Sequence, residues 1–442
     1  MSHYKPYPAY KDSGVEWIGK VPGHWDVVRI KRTAQIATDR CNIIPAGLQY
    51  IGLEDVESGS GQYKPTATVS RQSDDSTVGL FQGGDVLYGK LRPYLRKCII
   101  GSVDGACSTE FLVLKPSSVS PAWLRNWLLT TDVTQQIEAG CDGAKMPRAD
   151  WEHVGSIHIP TPDKVEQDGI LTTLDRETAR IDALIAKKTE FIELLAKKRQ
   201  ALITHVVTKG LNSKVKMKNS GVEWIGEIPT HWLIAQLGKI AISRCDGPFG
   251  SGLKSDHYQP TGVRVIRLQN IGWASFKDGN EAFISHEHWI EVLGRGHEVL
   301  PDDVLIGGLG DDKNPLGRAC VAPANLGPAM VKADCYRFRL NKDRAVPEFI
   351  ALALSATARS ECGYLATGAT RDRLNLGLAS ARVVALPPRN EQVDIVASLN
   401  RDTARIDLLS DKTQHSIDLL KERRSALITA AVTGQIDLRE SV

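Results

Sequence analysis

A chain of 442 residues, 42% apolar and 24% charged, has material for about three domains with ordinary hydrophobic cores. No run approaches the roughly 18 apolar residues of a membrane span, and the opening MSHYKPYPAY lacks the basic-then-apolar pattern of a secretory signal, so a cytoplasmic location is expected. A formal net charge of +3 permits nucleic-acid binding without announcing it, and 8 cysteines with no CxxC pair and no Cys/His cluster exclude a zinc module and read as buried, reduced thiols.

The first segment with a signature is DSGVEWIGKVPGHW at 12–25. It returns as NSGVEWIGEIPTHW at 219–232, an offset of 219 − 12 = 207, with ten of fourteen positions identical. Trp17 and Trp25, and Trp224 and Trp232 in the second copy, stand among Gly19, Pro22, Gly226 and Pro229, a density that reads as packing, each segment clasping a helix. A variable stretch follows. In it GDVL at 84–87 matches DDVL at 302–305, and FLVLKP at 111–116 matches YRFRLN at 336–341, all short strands by their apolar pattern. GKLRPYLRK offers Lys90, Arg92, Tyr94, Arg96 and Lys97, and a later loop offers Lys145 and Arg148, donors suited to phosphates and base edges. A solvated strand face accounts for the first of these clusters equally well.

Pro160 and Pro162 then fit a helix entry, and Gly210 its exit. Between them Ile170, Leu174, Ile181, Leu184, Phe191, Leu195 and Leu202 recur in a heptad-like pattern. The second copy repeats it at Ile395, Leu399, Ile406, Leu409, Leu420 and Leu427, after Pro387 and Pro388 and before Gly434, with Lys188 and Thr413 as matched polar interruptions. The motifs TARID (178–182 and 403–407) and ALIT (201–204 and 426–429) fix this offset at 403 − 178 = 225. The same register pairs Gly143-Ala144 with Gly368-Ala369, Arg148 with Arg373 and Glu166-Gln167 with Glu391-Gln392. The two offsets differ by 225 − 207 = 18 residues, so a constant frame holds two inserts of unlike length and sequence. A helix of about 40 residues is about 60 Å long, and two of them side by side would hold two globular domains a fixed distance apart.

The second insert carries CDGPFGSGLKSDHY at 245–258, a Gly-rich loop with Lys254 that suits close approach to DNA. Arg264, Arg267, Gln269 and Asn270 follow, then Lys313, Asn314 and Arg318, and finally Arg371 and Arg373 in the repeat-matched loop. Singly each is as compatible with a structural role as with a base contact; the loops as a set carry the expectation.

Enzyme signatures fail on inspection. GDVLYGKL at 84–91 puts Leu91 where a phosphate-binding loop needs Ser or Thr, and GGLG at 307–310 lacks the third glycine of a dinucleotide loop. DGPF at 246–249 and NPLG at 314–317 each lack the doubled proline and aromatic of an amino-methyltransferase, and the eleven histidines form no HExxH.

The opening GVEWIG(K/E)(V/I)P(G/T)HW and the closing run of prolines, EQ, TARID and ALIT, each present twice and in order, resemble the specificity subunit of type I restriction-modification systems over nearly the whole chain. The resemblance implies an α+β fold: target recognition domains at 1–158 and 213–385, and conserved long helices at 159–212 and 386–442, antiparallel and pseudo-twofold. It implies that each domain reads one half of an asymmetric split DNA site while the helices set the gap. It also implies partners: two methyltransferase subunits that use S-adenosylmethionine, and two motor-nuclease subunits that need ATP and magnesium. No catalytic residue, cofactor or metal is then expected in this chain itself. Reading by residues alone leaves a standalone DNA-binding regulator with a duplicated reader as the alternative; Asn219 for Asp12 departs from the repeat without disturbing it.

Overall fold

The structure, a computed structural model, describes residues 4–65, 77–141, 143, 145–249, 252–311, 313–365 and 373–439. The chain divides into two units, Met1–Thr189 with Gln414–Val442, and Glu190–Thr413. Each mixes strands with short helices and takes a half of each of two long helices, Lys164–Lys209 and Arg389–Val432. The α+β class and the two long helices are as the sequence implies.

In the first unit an antiparallel sheet orders its strands Ala34–Ile36, Phe111–Pro116, Val86–Gly89, Cys98–Ile100. Successive side chains of a strand face opposite ways, and here both faces are covered. Val86, Tyr88, Leu112 and Leu114 join Trp123, Trp127 and Leu128 of the helix Pro121–Leu128, whereas Leu87, Phe111 and Val113 join Ile51, Phe81 and Cys107 of a second sheet. This explains why GDVL and FLVLKP look apolar throughout rather than alternating. In the second sheet Gln49–Ile51 runs parallel to Gly105–Cys107.

The second unit repeats the plan. Its first sheet orders Ala241–Cys245, Cys335–Leu340, Val304–Gly307, Ala319–Val321, and its second sheet pairs Val263–Ile266 parallel to Ala329–Val331. Matched pairings show where the length difference lies. The offset is 207 at the opening segment, then 264 − 49 = 215, 304 − 86 = 218, 321 − 100 = 221 and 329 − 105 = 224 from strand to strand, reaching 382 − 157 = 225 before the second long helix. The surplus is therefore spread over successive loops while these strands are kept; the second sheets differ at one edge, where Arg40–Cys41 flanks Val78–Phe81 in the first unit and Phe283–Ile284 flanks Val263–Ile266 in the second. One strand match needs correction: Phe111 pairs with Gly89 as Cys335 pairs with Gly307, so FLVLKP corresponds to CYRFRL, one residue earlier than YRFRLN.

The repeated motifs are the joints of this frame. His24 bonds Glu166 at 2.7 Å and His231 bonds Glu391 at 2.8 Å, tying each opening segment to the first turn of a long helix. The neighbouring glutamines close the entry: Gln167 donates to the Pro162 carbonyl and Gln392 to that of Pro387. Trp25 and Trp232 are fully buried. Each packs at the exit of the other long helix, since a Cβ on Gly434 would meet Pro22 at 2.3 Å and one on Gly210 would meet Trp232 at 3.2 Å. Both glycines are also left-handed, φ +71° and +77°, as helix ends of this kind require.

Within the first unit, Asp182 of one long helix meets Arg424 of the other at 2.9 Å. Within the second, Arg199 meets Asp407 at 3.0 Å. The buried or half-buried line of the first helix is Gln167, Ile170, Leu174, Thr178, Ile181, Ile185 and Lys188 in one unit, and Ile192, Leu195, Arg199, Leu202 and Val206 in the other. From Thr178 onward the steps alternate between three and four, the heptad spacing of a two-helix seam, after two successive steps of four from Ile170. The second helix follows it at +225, through Leu399, Thr403, Ile406 and Ser410 to Leu420, Arg424 and Leu427. Leu184, Phe191 and Leu409, 48%, 41% and 43% exposed, therefore lie beside the seam; Ile185, Ile192 and Ser410 occupy it.

Candidate nucleic-acid interface

Two backbone bridges place the candidate loops. In the first unit Leu91 bridges Arg148, with the Ala149 N–H donating to the Lys90 carbonyl and the Arg92 N–H to that of Pro147, both at 2.9 Å. In the second Leu309 bridges Arg373, with the Leu374 N–H donating to the Gly308 carbonyl at 3.0 Å. The GKLRPYLRK loop is thus joined to the 145–148 loop, and the 309–318 loop to the start of the 373–375 loop. Arg371 lies outside the described residues, as do Ala144, Gly250, Ser251 and Gly368-Ala369.

In the first unit Arg92, Tyr94, Lys145 and Arg148 are exposed and Lys90 is half-buried. Arg92 and Arg96 both adopt left-handed backbone conformations, φ +54° and +48°, either side of the turn Pro93–Leu95. Such conformations cost non-glycine residues of order 1 kcal/mol or more and concentrate at functional loops. Lys97 is turned inward, its Nζ donating to the Leu53 carbonyl at 2.6 Å, and Arg96 reaches Thr131 Oγ1 at 3.3 Å. Both side chains thus bond within the chain, and Arg92, Tyr94, Lys145 and Arg148 are the exposed members of the set.

The second unit separates its candidates more sharply. Arg318 is 4% exposed, and its guanidinium is spent on the carbonyls of Ile271, Leu309 and Leu268 at 2.6–2.9 Å, so it holds loops together and offers nothing to a ligand. Asn270 is buried, capping the turn before it and donating to the Lys277 and Gly279 carbonyls. Arg264 is buried against Phe276, with Asp278 at 2.6 Å. These three are corrected to structural residues. Polar side-chain type in the sequence carried no sign of burial, because the carbonyls that satisfy Arg318 come from loops up to 50 residues away. Arg267 donates to the Asn280 carbonyl and is half-buried; Lys254, Gln269 and Lys313 are exposed. Asn314 bonds Asp311, whose carboxyl is held below its usual range by the Asn314 backbone and side-chain N–H groups.

The bridged arginines have equivalent partners. Arg148 Nη2 lies 2.8 Å from Glu110, and Arg373 Nε lies 2.8 Å from Asp334. These carboxylates, and Phe249 beside Arg373 at 5.3 Å, were missed in the sequence. Glu110 and Asp334 stand 38 and 39 residues from their arginines, and only the strand register brings them together.

Cys41, Cys98, Cys107, Cys141, Cys245, Cys320 and Cys335 carry no disulfide, and burial pushes the Cys98, Cys107 and Cys320 thiols up to about 12, leaving them protonated and inert near neutrality. Among the described residues no group of three His, Cys, Asp or Glu side chains suits a metal ion, and no helix is long and apolar enough to cross a membrane.

No family model matches the chain. It is similar to the type I restriction enzyme EcoDI specificity subunit of Escherichia coli, 26% identical over 187 residues, 40% of this chain and 41% of that one. It is also similar to the StySPI specificity subunit of Salmonella potsdam, 21% identical over 82% of this chain and 75% of that one. The MjaVIII specificity subunit of Methanocaldococcus jannaschii is 23% identical over 67% of this chain and 66% of that one. The chain thus spans less than half of the first of these relatives, and about two thirds to three quarters of the other two. Among solved structures, a chain described for the complex assembly and conformational transition of the type I R-M system superposes with a TM-score of 0.62 at 19% identity, covering 93% of this chain and 98% of that one.

Proposed function

We propose that the chain, similar in sequence to type I restriction enzyme specificity subunits and in fold to a chain of a type I R-M system, is the DNA-reading member of such a complex. Residues 1–158 and 213–385 act as two target recognition domains, each reading one half of an asymmetric split site. The helical segments 159–212 and 386–442 set the gap between the halves, and the conserved frame docks two methyltransferase subunits. Methyl transfer to adenine from S-adenosylmethionine, and ATP- and magnesium-dependent translocation and cleavage by two motor-nuclease subunits, belong to those partners in the cytoplasm; this chain supplies sequence choice.

The observation that carries this reading is the repeated loop frame filled with unlike loops. Leu91–Arg148 and Leu309–Arg373 are the same bridge at the same place, while the residues around them differ. Identical readers would call for a palindrome; a shared scaffold with different loops calls for two half-sites. Phosphate contacts position a protein on DNA and side chains at base edges specify, so loop replacement should change specification alone. The test exchanges residues 30–157 for the equivalent segment of another specificity subunit and maps the adenines methylated by the reconstituted complex. One half-site is expected to change while the other half and the gap stay. A change in both halves would refute separate readers.

A further inference from the structure

We propose that Arg148 and Arg373 each read a guanine, one in each half-site, and that Glu110 and Asp334 are positioning residues that hold the two guanidinium groups for it. This rests on the DNA-reading function proposed above and assigns the part of it that discriminates between bases.

The first support is that the arrangement occurs twice. Both arginines are fixed by an equivalent backbone bridge, and both meet a carboxylate that starts the equivalent central strand, Phe111–Pro116 or Cys335–Leu340. The loops around them share little sequence, so the pair belongs to the scaffold that presents the loops. The second support is exposure. The arginine side chains are 57% and 49% exposed, their carboxylates 24% and 18%, so in each pair the arginine is the member more open to solvent. The third is backbone strain. Asp334 holds φ +61°, a conformation an aspartate keeps at a cost when something fixes it there, and its carboxylate is the group that anchors Arg373.

The chemistry separates base reading from phosphate gripping. An arginine that attracts phosphate works by net positive charge, released counterions included. Here a carboxylate at 2.8 Å cancels that charge and would repel a phosphate oxygen placed beside it. What remains is geometry. A guanidinium has five N–H donors; the anchor uses one Nη2 donor of Arg148, and Nε with one Nη2 donor of Arg373. The free donors on Nη1 and Nη2 match the N7 and O6 acceptors of guanine in the major groove, the commonest specific arginine contact. Phe249, half-exposed, adds a ring 5.3 Å from the Arg373 guanidinium.

The test uses the full chain assembled with its methyltransferase subunits, with methylated adenines mapped across host DNA and binding measured against salt. Arg373→Ala is expected to make one guanine position of one half-site degenerate, with discrimination there falling roughly 10- to 100-fold and the other half-site unchanged. Arg148→Ala is expected to do the same in the other half. Asp334→Asn tolerates the same backbone conformation and should loosen the same position as Arg373→Ala to a smaller degree, which a merely structural aspartate would not do. Should Arg373→Ala fail to fold by circular dichroism, Arg373→Lys carries the same expectation, because lysine cannot form the bidentate contact. An unchanged motif in a folded variant overturns the proposal. So does uniformly weaker methylation with the salt slope reduced by about one, the mark of a phosphate contact. A wild-type complex that methylates no split motif would instead remove the underlying DNA-reading function, and is told apart by being seen before any substitution.

Discussion

At position 382 a guanidinium is completely buried, while the repeat-matched position 157 carries isoleucine. Both residues accept the same backbone hydrogen bond, from Leu237 N–H and from Ile30 N–H, each at 2.8 Å. Arg382 survives in the core because Glu361 lies at 2.8 Å, the Leu354 carbonyl accepts from it at 2.7 Å and the Gly317 carbonyl takes a further bond. Glu361 in turn accepts from the Val383 N–H. Removing one partner of a fully buried pair strands a charge, at about 3–5 kcal/mol, whereas replacing both with apolar residues is often neutral. Glu361→Ala should therefore lower the thermal unfolding transition sharply, and Glu361→Leu with Arg382→Met should recover most of the loss. Calorimetry on the three proteins checks this, and an equal loss in the double variant would contradict it. None of this was legible in the sequence. Arg382, like Arg318, reads there as one more surface cation, because the groups that satisfy it are distant in the chain and mostly backbone.

At the scale of the element, the long helices were the most legible part of the molecule. Proline before the entry, glycine after the exit and a repeating apolar pattern locate both helices, and the repeat offset matches one seam to the other. The seam itself was legible only in part. Leu184 and Ile185, or Leu408 and Leu409, are adjacent apolar residues, so composition cannot tell which faces inward, and the three-four alternation from neighbouring turns decides for Ile185 and Ser410. The seam also uses polar residues, Thr178, Arg199 and Arg424 among them, that an apolar count passes over. Asp182–Arg424 and Asp407–Arg199 turn two motifs of unknown purpose, the aspartate of TARID and the arginine before ALIT, into reciprocal locks on helix register. Asp182 and Arg424 side chains are 32% and 15% exposed, so their coupling should exceed that of a surface pair. A double-mutant cycle with Asp182→Ala and Arg424→Ala, read by chemical denaturation, is expected to give about 1 kcal/mol of coupling. Additive losses would show that the two side chains do not act together.

At the scale of the whole molecule, duplication is the organising fact. The sequence displayed it in the opening and closing motifs, which are joints between the clasp segments and the helices and so tolerate little change. It hid it in the inserts, where each loop has its own length and the offset drifts from 207 to 225 while the first sheet keeps its four strands. Loops vary freely because they bear no core. Two scaffolds of one plan carrying different loops are what a reader of two different half-sites requires. For the DNA-reading function proposed here, the most direct measurement is the map of adenines methylated in host DNA by the unmodified chain assembled with the proposed methyltransferase subunits. One split motif with two unlike halves and a fixed unread gap is expected. A palindrome, or an unbroken motif without a gap, would contradict it.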